Sequence, residues 1–277
     1  MTFNERVRSV ITQKNSLLCV GLDVEVNKLP KSAIVHNRQF EFAKRIIEET
    51  SPYATAYKVN TAFYEAEGHQ GWETLESIFD VLQALPGVIS IADCKRGDIG
   101  NTARMYAKAF FDKLGADAIT ANPLMGSDSV EPFLQNPKKG VFFLCLTSNP
   151  GSADLLQLSL GQPNLSVYFR LADMVESWNG GENCGLVVGA TKPEIMGHIR
   201  RIHPDLPFLI PGTGAQGGDL EKSVLNGTDQ FGTNALFNSS RAILYASDGE
   251  DYAEAAARVA RETRDALNAA REKKVKS

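Results

Sequence analysis

Cysteine is scarce in this 277-residue chain. Cys19, Cys94, Cys145 and Cys184 lie far apart, with no C-x-x-C pair among them. That spacing excludes a zinc ribbon, a thioredoxin-like redox motif and a disulfide scaffold. Three of the four sit in apolar, strand-like runs, where a thiol packs as a small hydrophobe, and reduced thiols imply a cytoplasmic protein. Histidine is equally sparse: no pair among His36, His69, His198 and His203 has ligand spacing with an acidic partner, so no metal site is expected. Long apolar runs are missing too. None approaches the roughly 18 residues of a membrane span, and Leu17–Leu22 is too short for the apolar core of a leader. Nor is there a basic excess: 29 Lys and Arg against 33 Asp and Glu give a net charge of −4. Nucleic acid is therefore excluded as the main partner, since phosphate-backbone binding needs a basic surface. A small anion needs only a few local donors and stays open. Internal repeats and low-complexity linkers are also absent.

What the chain does have is the 43% apolar, 22% charged balance of a folded protein, laid out in a regular alternation. Short apolar runs predict strands near 17–22, 55–59, 88–93, 117–121, 141–147, 185–189, 207–210 and 234–238. Amphipathic stretches lie between them. Phe40, Ala43, Ile46 and Ile47 share one helical face, as do Trp72, Leu75, Phe79 and Leu82. Eight such alternations predict an α/β protein, a (β/α)8 TIM barrel formed by residues 1–277 as one domain, with an open doubly wound sheet as the alternative. Residues 1–15 predict a helix capping the bottom of the barrel, with Thr2 and Glu5 as a capping box and Phe3, Val7 and Ile11 facing inward. Residues 250–276 predict a final helix. Residues 149–184 form a long insertion after the fifth strand, on the side where barrel loops carry function. Arg200, Arg201 and His203 are expected on a solvated face.

Active sites of such barrels form at the C-terminal ends of the strands. Reading only those positions collects Asp23, Lys58, Asp93, Lys95, Asp98, Thr147, Ser148, Pro211, Gln216 and Arg241, an ionic set after such apolar runs. The densest cluster is Asp93-Cys94-Lys95-Arg96-Gly97-Asp98. Alternation along a strand turns Asp93 and Lys95 to one side and Cys94 to the other. An ammonium between carboxylates stays protonated and can donate a proton to a developing carbanion. The same stretch spells the cell-adhesion tripeptide Arg96-Gly97-Asp98, a non-enzymatic reading that requires an exposed loop.

The second cluster is Pro211-Gly212-Thr213-Gly214-Ala215-Gln216-Gly217-Gly218-Asp219 after the seventh strand, followed by Asn238-Ser239-Ser240-Arg241 after the eighth. Glycines let backbone N–H groups approach an anion, and loops seven and eight of barrels commonly hold a phosphate. The spacing matches neither G-x-G-x-x-G nor a P-loop, so dinucleotide and P-loop readings fail.

The stretches DCKRGDIGNT, PGTGAQGGD and NSSRAILYA, with YKVNTAFYE and GLDVEVNKLP upstream, resemble orotidine 5′-phosphate decarboxylases, in particular their longer-chain bacterial branch. The resemblance runs from Gly21 to Tyr245. It implies cofactor-free decarboxylation of orotidine 5′-monophosphate to uridine 5′-monophosphate, the last step of de novo pyrimidine nucleotide synthesis. It implies Lys95 as proton donor to C6, Asp93 against the substrate carboxylate, and Lys58 and Asp98 extending an alternating charge array. Asp23 and Lys58 would hold the ribose hydroxyls, Ser148 the pyrimidine amide edge, with Pro211 near the base. Gln216, Arg241 and the backbone around Gly214 would bind the phosphate. A homodimer is implied as well, with Asp98, Ile99 and Thr102 completing the partner's site. Asn60 stands where the family often has glycine. Related barrel enzymes share D-x-K-x-x-D, so a magnesium-dependent sugar-phosphate decarboxylase or epimerase is the alternative.

Overall fold

The short apolar runs become the parallel strands of a closed barrel, β1 (Leu18–Gly21), β2 (Ala56–Asn60), β3 (Ile89–Arg96), β4 (Ala118–Ala121), β5 (Gly140–Leu146), β6 (Cys184–Val188), β7 (Phe208–Pro211) and β8 (Ala235–Ser239). The computed structural model describes residues 1–30, 37–161, 165–212 and 219–276. β1 pairs with both β2 and β8, which closes the ring and leaves no strand edge. Strands such as β6 and β8 are buried along their whole length, as a sheet covered on both faces requires. All strand limits lie within one residue of expectation except that of β3, which runs on to Arg96.

The helices follow the amphipathic stretches: α1 (Phe3–Lys14), α2 (Arg38–Thr50), α3 (Ala62–Glu65), α4 (Gly68–Ala84), α5 (Gly100–Ala107), α6 (Ser127–Leu134), α7 (Val167–Trp178), α8 (Pro193–Ile202), α9 (Leu220–Gly227), α10 (Arg241–Leu244) and α11 (Tyr252–Lys276). α5 continues into a π-turn over Lys108–Lys113 that buries Phe110 and Phe111. Among the described residues, no helix is long and apolar enough to cross a membrane.

α1 closes the N-terminal end of the barrel. Thr2 Oγ1 accepts from the Glu5 N–H at 3.3 Å while Glu5 Oε2 accepts from the Thr2 N–H at 2.8 Å, so the capping box is formed. The Phe3 N–H donates to the Pro137 carbonyl, Asn4 Nδ2 to the Cys184 carbonyl, and Arg6 to both Asp117 oxygens and the Val88 carbonyl. These partners sit at or just before the starts of β3, β4, β5 and β6. Phe3 is fully buried, edge-on to Phe142 at 5.8 Å. A Cβ at Gly140 would fall 2.2 Å from the Phe3 ring, so only glycine admits the plug there.

Arg200 and His203 are not on a solvated face. Both are buried, because Arg200 lies on the inward face of α8 with Met196 and Ile199. Its guanidinium donates to the carbonyls of His203, Pro204, Leu206, Gly227 and Asn234 and lies 3.6 Å above the Phe208 ring. A buried charge is tolerated there because each of its three nitrogens finds a carbonyl acceptor. Trp72, expected among the buried residues of its helix, stands in the first turns of α4 and is 40% exposed, while Leu75, Phe79 and Leu82 are buried. The insertion after β5 contains α7. The irregular part ends by Ser166, where the bridge Ser159–Ser166 and the Tyr168 N–H to Leu156 carbonyl bond tie it down.

Candidate active site

The barrel strands deliver their last residues to a cavity of about 360 Å³ at the C-terminal mouth. Asp23, Lys58, Asp93, Lys95, Ser148, Pro211 and Arg241, all expected from sequence, line it. Lys58 arises within β2, and its side chain is 7% exposed. An ammonium taken out of water needs compensation. Lys58 Nζ finds it by donating to Asp93 Oδ2 at 2.8 Å and to Asp23 Oδ1 at 3.4 Å. Lys95 Nζ donates to the other Asp93 oxygen, Oδ1, at 2.6 Å, and its side chain is about half exposed to the cavity. The charges therefore alternate in space as Asp23, Lys58, Asp93, Lys95.

Burial by itself would raise the Asp93 carboxyl and lower the Lys58 ammonium. For Asp93, Lys58 and then Lys95 outweigh burial and hold the carboxyl well below the usual carboxylate range. For Lys58, Asp93 and then Asp23 outweigh burial and push the ammonium above the ordinary lysine value. Both groups are thus fully ionised at neutral pH. Cys19, beneath this array, is pushed up to about 12 by burial, against the lowering pull of Lys58, so it remains a thiol.

Lys95 reaches its position along an irregular path. The β3–β4 register slips between Ala92 and Arg96, and Lys95 adopts φ +48°. Its N–H donates to Thr120 Oγ1 at 3.0 Å instead of to a ladder carbonyl. Asp23 is held from the other side: Tyr245 Oη donates to the Asp23 carbonyl at 3.3 Å, and Tyr64 Oη to the Leu22 carbonyl at 2.9 Å. Arg241 opens α10 directly after β8. Ser240, just before it, accepts from Asn238 Nδ2 at 3.2 Å, in space that a Cβ at Gly21 would occupy at 1.9 Å from Ser240 Oγ.

Not every expected residue is in the cavity. Asp98 Oδ1 accepts from the Ile99 N–H at 2.8 Å, Ile99 is 53% exposed, and Thr102 is exposed on the first turn of α5. Gly214 and Gln216 lie outside the described residues. Arg96 is bound to Glu65 at 2.5 Å and lies over the rings of Tyr106 and Phe110, so the adhesion tripeptide does not present its arginine. Conversely, Thr120, Leu144, Val187 and Leu209 line the cavity without being singled out by the sequence reading. The available signal for Thr120 was a lone polar residue inside the otherwise apolar β4, which a search of strand ends passes over.

Residues 16–256 match the sequence family described as orotidine 5′-phosphate decarboxylase / HUMPS family. An orotidine 5′-phosphate decarboxylase of Dehalococcoides mccartyi is 49% identical over 271 residues, covering 97% of this chain and 98% of that protein. One of an Azoarcus species is 46% identical over 276 residues, covering 98% and 100%. The solved structure of Leishmania donovani OMP decarboxylase superposes with a TM-score of 0.82 at 40% identity, covering 98% of this chain and 99% of that one.

Proposed function

The chain belongs to the orotidine 5′-phosphate decarboxylase / HUMPS family, and on that premise we propose how its own residues carry the reaction. The reaction is decarboxylation of orotidine 5′-monophosphate to uridine 5′-monophosphate, in pyrimidine biosynthesis. The bond from C6 to the carboxylate breaks, CO2 departs, and the electron pair stays at C6. Lys95 faces the cavity with a protonated amine, stabilises that pair and transfers its proton to C6. Asp93 lies against the substrate carboxylate, where repulsion is relieved as CO2 leaves. Lys58 keeps Asp93 ionised throughout, and Asp98 of the neighbouring subunit adds the next negative charge.

Asp23 and Lys58 bind the ribose hydroxyls, Ser148 the amide edge of the pyrimidine, and Pro211 packs near the base. Arg241, Gln216 and the backbone at Gly214 take the phosphate. Its binding energy lowers the barrier at a distance when it draws the loops closed. No cofactor or metal enters the scheme. The chain acts as a single barrel domain in a cytoplasmic homodimer in which Asp98, Ile99 and Thr102 complete the opposite site. Support for the dimer comes from the exposed apolar side chains Ile99, Met105, Leu124 and Met125 on the segments after β3 and β4. Support for a reducing compartment comes from the four free, buried thiols.

The alternating array Asp23, Lys58, Asp93, Lys95 carries this reading. Lys95→Ala is the test. Mixed with orotidine 5′-monophosphate and followed by pyrimidine absorbance, it loses turnover by at least about four orders of magnitude; near-normal CO2 release refutes the assignment. A chelator leaves the wild-type rate unchanged, whereas loss restored by magnesium would point to the sugar-phosphate alternative.

A further inference from the structure

We propose that Thr120 is a positioning residue for the decarboxylation, locking Asp93 and Lys95 to each other through one hydroxyl; the inference rests on the catalytic reading of those two residues. β4 brings no ionisable side chain to the mouth, yet Thr120 is 1% exposed at the cavity wall. Its Oγ1 donates to Asp93 Oδ1 at 2.8 Å and accepts from the Lys95 N–H at 3.0 Å. A hydroxyl is the smallest side-chain group that donates and accepts at once, and here both capacities go to the two residues nearest the reacting carbon.

The acceptor bond addresses a specific weakness in β3. Where the register slips, Lys95 takes a left-handed backbone at φ +48°, a conformation that a residue with a Cβ holds only when its surroundings enforce it. With the Lys95 N–H outside the ladder, Thr120 supplies the bond that fixes it. The donor bond addresses the carboxylate. Asp93 Oδ1 is shared between Thr120 and Lys95 Nζ. Once Lys95 has given its proton to C6, the amine is neutral and no longer holds Oδ1 by charge. Thr120, whose hydroxyl does not titrate, keeps the Asp93 rotamer in place until Lys95 is reprotonated. The β-branch restricts the Thr120 χ1 torsion and so fixes where the hydroxyl points.

Thr120→Val, Thr120→Ser and Lys95→Ala compared with wild type form the test. A misplacement of the reacting groups without loss of substrate contacts lowers kcat and leaves KM alone. Thr120→Val is expected to lower kcat by about 10- to 100-fold with KM within about threefold of wild type, and Thr120→Ser to return kcat to within about threefold at a similar Tm. Should Thr120→Val not fold, Thr120→Ala removes the same hydroxyl, and Thr120→Ser must then outpace it by about tenfold. A Thr120→Val kcat at the wild-type level, a rise in KM alone, or a serine variant as slow as the valine one each overturns the proposal. With Lys95→Ala inactive, such results remove the role of Thr120 only. An active Lys95→Ala removes the catalytic reading and this inference with it.

Discussion

Lys58 and Asp93 form an ion pair, 2.8 Å between Nζ and Oδ2, with both side chains more than nine-tenths buried. In the β2–β3 ladder Lys58 stands opposite Ile91 and Asp93 opposite Asn60, so the pair crosses the sheet diagonally. Neither charge tolerates that environment alone, and each is held ionised by the other.

Asp93→Asn therefore strands Lys58 with only the 3.4 Å contact to Asp23. Loss of one partner of a buried pair is expected to cost about 3 kcal/mol, and urea denaturation at pH 7 is the measurement that checks it. The pH dependence has a defined sign. A carboxyl held below its ordinary value stabilises the fold above that value, and the contribution is lost as pH falls toward the native-state one. The gap between wild type and Asp93→Asn is thus level above about pH 5 and narrows below about pH 4.

Phe3→Ala tests the opposite end of the barrel. The ring is fully buried under β5, against Gly140 and Phe142. Its truncation leaves a cavity that the rigid strand ends fill poorly, costing about 3–5 kcal/mol. The chemistry lies at the far mouth. Thermal unfolding is expected to show a lower Tm while kcat at 25 °C stays at the wild-type value; a matching fall in kcat would contradict the separation of the two ends.

Sequence signals that act along the chain were readable. Strand limits followed from apolar runs, and Asp93 and Lys95 were found together because they are two residues apart on one strand. Signals that require two distant segments were not. Thr120 acquires meaning only where β4 lies beside the irregular stretch of β3. The charge of Arg200 suggests a solvated face, yet beyond the nearby carbonyls of His203, Pro204 and Leu206 its guanidinium is accepted by those of Gly227 and Asn234, which come from a distant segment of the chain. Asp98, Ile99 and Thr102 do not line the cavity of their own chain, and their assignment to a partner's site rests on the family resemblance alone.

Arg241→Ala separates phosphate recognition from catalysis. Arg241 is exposed at the start of α10, on the cavity rim and away from Lys95's partners. Loss of a charge-assisted contact weakens binding by about 10- to 100-fold. Competition assays are expected to show that loss for uridine 5′-monophosphate and almost none for uridine; equal losses for both ligands would contradict the phosphate role.

Subunit mixing tests whether the site is shared. Lys95→Ala and Asp98→Ala are each expected to be nearly inactive as pure dimers. If Asp98 serves the opposite subunit, a mixed dimer pairs the intact Lys95 of one chain with the intact Asp98 of the other, restoring one of its two sites. Random exchange at equal concentrations makes half of the dimers mixed, so activity recovers to about a quarter of wild type. If Asp98 served its own chain, every site in a mixed dimer would carry one of the two substitutions, and mixing would restore nothing.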